Sequence, residues 1–380
     1  MKRFIDTLKN IWAIKELRNS LLYTLILLVV FRLGSYIVLP GVMSDVLSNV
    51  AKGRSANDLL GLINIFTGGA FNQASILALG IMPYITASII IQVLGFAVPY
   101  FQRLQQKEGE SGRKKLNQIT RVLTVAITLV QGGAYLTYLK GVGAISPNIA
   151  QSIFWGSNIL ILTTGTVFAM WLGEKITDKG IGNGVSLLIM VGILSRLPQA
   201  FIFEFDAQMA SSGLIIFILE LAALFLIIMF TILIVQGVRK IPLQFPKKAI
   251  GGGSLAAGNR EYIPLKVNGA GVMPIIFAQA LMFLPAILAQ YFTGADAGGA
   301  SSSSFVRSLN DHFSFTYNMI YFVLIIVFTY VYTALLINPQ QYAEYLKRSN
   351  AYIPGVKPGK DTEDYIDAIT SKITFPGSVI

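Results

Sequence analysis

The sequence predicts an all-α fold, a polytopic membrane helix bundle, and three observations carry that prediction. Of the 380 residues 54% are hydrophobic and only 13% are charged, where a soluble domain carries about 25% charged residues. Long apolar runs recur along the chain, and about 20 apolar residues in a helix cross a hydrocarbon core of about 30 Å. Lys and Arg gather in alternate connections between those runs, as they do in the cytoplasmic loops of membrane proteins.

Residues 1–19 mix Phe4, Ile5, Leu8, Ile11 and Trp12 with Lys2, Arg3, Lys9, Lys15 and Arg18. They read as a short amphipathic helix at the membrane surface or, equally, as a charged cytoplasmic lead-in. The next apolar run is too long for a secretory signal, and no small-residue cleavage site closes it. Eight spans are predicted, at 20–39, 76–99, 120–139, 152–172, 181–197, 213–235, 270–292 and 316–337. With the N-terminus cytoplasmic, the inside segments and Arg121 at the mouth of span three hold 24 of the 30 Lys and Arg. Lys52, Arg54, Lys140, Arg196 and Arg307 lie outside, and Arg32 lies within span one. That asymmetry sets the orientation. The net charge of +11 is then topological, and no direct DNA binding is expected.

Several segments depart from a plain bundle. Residues 59–75 are apolar but too short to span, and Gly68-Gly69 closes them. A re-entrant half-helix fits, since irregular backbone at membrane depth survives only when buried in protein or lining a cavity; an outside loop with a surface helix is the plainer alternative. Span five opens on Gly180-Ile-Gly-Asn-Gly184, where small residues let backbones approach closely. Pro83, Pro274 and Pro285 fall within spans and predict bends. Residues 236–269 alternate apolar and basic positions around Gly251-Gly-Gly-Ser254, the pattern of an exposed hairpin. Residues 338–372 read as a second basic loop, with Pro354-Gly and Pro358-Gly turns. Long loops on one face carry function.

Catalytic chemistry finds little footing. There is no Cys and one His, His312, in a polar loop. No phosphate loop exists, since Gly251–Ser254 lacks the required Lys. No catalytic residue, metal ligand or cofactor is predicted. Arg32 within span one costs about 2.5–3.5 kcal/mol at mid-bilayer, less if it snorkels. Glu220 in span six is by default a candidate proton or cation site, although it lies close enough to the outer face to reach the interface. An isolated carboxylate among apolar spans is a weak basis for an ion-coupled transporter, which needs convergent polar groups at mid-membrane.

Five motifs, taken together, resemble one family. They are Phe66-Thr-Gly-Gly-Ala70 with Ile76–Gln92, Lys107–Lys115, Met170–Gly184, Leu265–Asn268 with Gly271–Pro274, and Tyr352–Gly359. Their order and sidedness are similar to the SecY family, the channel-forming subunits of the bacterial protein translocase. The resemblance implies a protein-conducting channel in the bacterial inner membrane that passes secretory proteins and releases transmembrane segments sideways into lipid. It implies two inverted-topology halves, here 20–197 and 213–380, joined by an external hinge loop at 198–212.

The family's apolar pore ring maps onto Ile81, Ile85, Val185, Ile189 and Ile276, positions that helical spacing alone would assign to core packing. Its plug maps onto Ile63, Phe66, Gly68 and Gly69, and its lateral gate onto Thr86 and Leu284. The implied partners are the SecE and SecG subunits, the SecA ATPase, the ribosome, signal sequences, unfolded preproteins and membrane lipids. Docking falls to Arg239, Lys240, Lys247, Lys248 and Lys357. Three features depart from the pattern: Lys357 replaces the usual Arg, Glu220 is unmatched, and the chain stops at Pro376–Ile380 where the ninth span is expected to begin, so that spans nine and ten are missing.

Overall fold

The computed structural model describes residues 12–43, 67–106, 109–147, 149–211, 213–244, 261–271 and 314–379, with isolated positions between them. It divides into two compact units, Met1–Phe205 with Phe283–Ser314, and Asp206–Met282 with Phe315–Ile380.

The first unit is built from α1 (Lys15–Gly34), α2 (Met82–Ala97), α3 (Pro99–Gln106), α4 (Gly109–Gly141), α5 (Gln151–Lys179), α6 (Gly184–Leu194) and the start of α7 (Leu197–Ser211). Helix α1 closes at Ser35, whose hydroxyl donates to the Phe31 carbonyl at 3.2 Å. Arg32 in the last turn complements the carbonyl end of the helix. Span two differs from the prediction. Residues 76–81 run in turns, and the helix starts only at Met82 with Pro83 in its first turn. Pro83 therefore opens a helix instead of bending one, because the amide it lacks would have no intrahelical acceptor there. The segment 198–212 is also different: α7 covers it to Ser211, with Pro198 again in the first turn.

Small residues set how closely these helices pack. Gly165, Ala169 and Gly173 recur every fourth residue on α5 and so share one face. A Cβ on Gly165 would sit 3.0 Å from the Ile76 carbonyl carbon, and one on Gly173 would sit 3.2 Å from Val185 Cγ2. Opposite, a Cβ on Gly184 would meet the Gly173 carbonyl and lie 2.7 Å from Ile176 Cβ. The α5 and α6 backbones thus touch where α6 begins. The break between them is held by polar side chains. Asn183 caps α6 by accepting from the Ser186 amide, the Thr177 hydroxyl accepts from the Gly184 amide, and the Thr24 hydroxyl accepts from the Ile181 amide. Beyond them, Leu39, Phe71, Tyr135, Leu136, Leu139, Phe154 and Leu162 form a buried apolar core. Thr120, Thr124 and Thr128 are buried on α4, and each hydroxyl donates to the carbonyl four residues back.

The second unit contains α8 (Leu214–Gln236), the strands β1 (Val238–Leu243) and β2 (Glu261–Lys266), then α9 (Phe315–Leu336), α10 (Pro339–Arg348) and α11 (Lys360–Val379). The strands pair antiparallel from Val238↔Lys266 to Leu243↔Glu261, the hairpin pattern read from the alternation. Ile241, Leu243 and Leu265 turn inward onto Leu346, Ala351, Ile353 and Ile366 of the segment that follows α9. Gln244 and Tyr352 exchange backbone hydrogen bonds of 2.9 and 3.0 Å, tying that segment to β1. Most of the predicted loop 338–372 is therefore helical. Asn338 caps α10, and α11 begins at Lys360, well before Pro376. Its polar first turns hid it, because Thr362, Ile366, Thr370 and Thr374 bury a mixed stripe and not an apolar one.

Among the described residues six helices are long and apolar enough to cross a membrane, at Lys15–Gly34, Gly109–Gly141, Gln151–Lys179, Gly184–Met209, Leu214–Gln236 and Phe315–Arg348, with Met82–Gly95 shorter. Span seven falls largely outside the described residues. No residue of α8 is buried.

The glycine contacts give a direct expectation. Gly184→Ala should lower the thermal unfolding midpoint, at a cost of about 1–3 kcal/mol from overpacking. Gly133→Ala, whose Cβ meets nothing within 4 Å, should hold or raise it, since alanine is the better helix former by about 1 kcal/mol. Detergent-solubilised variants followed by intrinsic fluorescence check the pair, and equal midpoints would dispose of the close-packing account.

Candidate pore and plug site

Ile81 and Ile85 stand one turn apart at the start of α2, and both are buried. Val185 and Ile189 repeat that spacing at the start of α6 and are half-buried. Gly173 brings the two pairs together. Its missing side chain leaves a notch into which Ile81 Cδ1 and Val185 Cγ2 both project, 3.5 and 3.2 Å from where a Cβ would stand. Three of the five ring candidates thus lie on helices α2 and α6, Ile81 is the N-cap of α2, and Ile81 and Val185 meet over the same glycine. Ile276 lies outside the described residues. The groups that converge here are aliphatic and carry no hydrogen-bond donor or acceptor.

The plug candidates Ile63 and Phe66 lie outside the described residues, while Gly68 and Gly69 are placed in detail. Both take positive φ, 64° and 95°, in a run of turns that continues to α2. The backbone of this run has been supplied with side-chain partners. Arg32 Nη1 donates to the Gly68 carbonyl at 2.7 Å, and the Tyr135 hydroxyl donates to the Phe71 carbonyl at 2.7 Å. The Asn64 carbonyl and side chain accept from the amides of Gly69 and Asn72. Irregular backbone inside a membrane protein needs such partners. Gly68 packs on Gly192 of α6, where a Cβ would stand 2.8 Å from the Gly192 carbonyl oxygen.

Three residues of this geometry are new at the level of the structure: Gly173, Gly192 and Arg196, whose guanidinium lies against Gly69. The signal for Gly173 was present in the Gly165, Ala169, Gly173 spacing. Arg196 and Gly192 carried no signal, because their role depends on a turn more than a hundred residues earlier in the chain.

Thr86 of α2 is buried, and its hydroxyl donates to the Met82 carbonyl at 3.1 Å. Its expected counterpart Leu284 lies outside the described residues. In the second unit, Arg239 and Lys240 are exposed on β1, with Lys240 Nζ 4.7 Å from the centre of the Tyr262 ring. Lys357 is exposed before α11, and Lys247 and Lys248 lie outside the described residues. Glu220 is not isolated. Gln208 Nε2 on α7 donates to its Oε1 at 3.0 Å, across the turn into α8. In the first unit, Arg121 and Glu174 form a bidentate pair, 3.1 and 2.6 Å, joining α4 to α5 next to Gly173.

Comparison with known proteins places this geometry in a family. The SecY family model matches residues 75–380. The protein translocase subunit SecY of Staphylococcus carnosus is 40% identical over 395 aligned positions, covering 98% of this chain and 86% of the relative. That of Aquifex aeolicus is 37% identical over 384, with the same coverages. Among solved structures, one described as "The structure of a protein conducting channel" superposes with a TM-score of 0.63 at 17% identity, over 95% of this chain and 83% of that one. The Sec61 chain of a canine ribosome-channel complex gives 0.61 at 16% identity, over 94% and 84%. These structures share the fold, and the sequence relatives supply the lineage: this multi-pass membrane chain belongs to the SecY family.

Proposed function

We propose that the chain is the central, channel-forming subunit of a bacterial protein translocase and has no enzymatic activity of its own. One observation carries the reading: Ile81 at the N-cap of α2 and Val185 of α6 meet over the Gly173 notch and present only aliphatic surface. A channel for unfolded chains needs a constriction that closes around any side chain and binds none. An aliphatic ring provides that, because dispersion contacts have no directional demand. Ile85 and Ile189 extend the ring by a turn, and Ile276 is its fifth candidate. The turn at Gly68-Gly69 belongs to a plug, with Ile63 and Phe66, that seals the channel at rest. Thr86 and Leu284 are the candidates for a lateral gate through which apolar signal sequences and transmembrane segments partition into lipid.

The N-terminus is cytoplasmic and the membrane is the bacterial inner membrane, as the Lys and Arg distribution favours. On that side the hairpin and α10–α11 make an exposed basic surface. Arg239, Lys240 and Lys357, with Lys247 and Lys248, dock the SecA ATPase and the ribosome, which supply the energy that the chain cannot. SecE and SecG complete the complex.

Two experiments test this. A photoreactive residue at Ile85, in the assembled translocase engaged by a stalled secretory chain, should crosslink to that chain; absence of crosslinks despite docking would make the ring mere core packing. Replacing both Ile85 and Ile189 by Gly should raise resting ion conductance in planar bilayers and weaken discrimination between functional and defective signal sequences. Unchanged conductance would remove the ring assignment.

A further inference from the structure

Two arginines converge on the Gly68-Gly69 turn. Arg32, in the last turn of α1, donates to the Gly68 carbonyl at 2.7 Å and to the Tyr36 hydroxyl at 3.0 Å. Its guanidinium also lies 4.8 Å from the centre of the Tyr36 ring, within cation–π range. Arg196, between α6 and α7, lies against Gly69. A Cβ on Gly69 would stand 2.7 Å from Arg196 Nη2 and 3.1 Å from its Nε. The guanidinium therefore lies against the bare face of the glycine. Both arginines are half-buried, and neither forms an ion pair among the described residues.

The two glycines are fitted to this arrangement in space as well as in φ. A Cβ on Gly68 would stand 2.9 Å from Arg32 Nη1 and from Gly192 Cα. The turn is thus held on three sides, by α1 through a charge-assisted hydrogen bond, by α6 through Gly192, and by Arg196 through close contact. A neutral donor would supply a weaker bond, and a residue at 69 with a side chain would push the turn away from Arg196.

We propose that Arg32 and Arg196 are the positioning residues of a latch that holds the plug turn closed, with Arg32 supplying the bond and Arg196 the clamp. This deepens the channel reading and rests on it. Opening then requires Gly68 to leave Arg32, and the half-buried guanidinium loses its carbonyl partner. The latch favours the closed state only while the turn is seated, so a weakened latch raises the resting open population without blocking passage.

The test uses the translocase assembled in its native membrane and reconstituted into planar bilayers without substrate. Arg32→Gln should raise the resting open fraction about tenfold, the change produced by losing one charge-assisted hydrogen bond. Arg32→Lys, which keeps the charge and one donor direction but not the fork, should restore part of the seal. Gly69→Ala reaches the same latch from the plug side and should also leak, so the test does not depend on one variant folding. Alongside, export of a substrate with a defective signal sequence should rise in Arg32→Gln, whereas a merely misfolded channel would lose export of every substrate. The Ile85→Gly, Ile189→Gly double variant separates the two readings. If it leaks and the Arg32 and Gly69 variants do not, the latch is overturned and the channel stands. If none of them leaks, the channel reading falls and the latch with it.

Discussion

The contact between the α5 and α6 backbones at Gly173 and Gly184 is the constraint on which the first unit depends. Helix α6 is only eleven residues long, and it carries at one end the ring candidates Val185 and Ile189 and at the other Gly192, with Arg196 just beyond. Wherever α6 sits, both features sit with it. Its position is set by two missing side chains, because any Cβ at Gly184 would overlap the Gly173 carbonyl. The polar caps from Asn183, Thr177 and Thr24 then make the break before α6 a defined structure, since each satisfies an amide that the interrupted helix leaves without an acceptor.

The run from Thr67 to Ile81 follows from the same accounting. Its turns and a single antiparallel bridge, Val38 to Ser75, pair only part of its peptide groups, and it lies among apolar helices where an unsatisfied group is costly. Arg32, Tyr135 and Asn64 reach in to meet its carbonyls and amides. Arg32 is thereby explained twice. It compensates its own burial by finding an acceptor, and it gives the carbonyl of an irregular turn a partner. A charged residue in a span reads as a defect until its partner is known.

The second unit solves a different problem. The hairpin and α10–α11 are short and polar at their exposed faces, and they hold together through a small apolar core shared by strand, turn and helix. Basic residues stay on the outside of that core, where they are free to meet a partner. Glu220, the residue that most invited an ion-coupled reading, is engaged by Gln208 one helix away. Its hydrogen bond ties α7 to α8 across Gly213 and is a local staple at a turn.

The sequence by itself determined the class of the protein: its apolar runs, its Lys and Arg asymmetry and five ordered motifs were enough to place most spans and the hairpin strands. These are legible because they depend on composition and short-range periodicity, which each segment carries alone. It misjudged Pro83, the loop at 198–212 and the polar helix α11, because a first-turn proline and a threonine stripe look locally like interruptions. Only the tertiary structure decided that Ile81 and Val185 share one notch, that Gly173 makes it, and that Arg32 and Arg196 grip a single glycine turn. Those facts depend on which backbones come within van der Waals contact, and a missing Cβ has meaning only once its neighbour across the interface is in place.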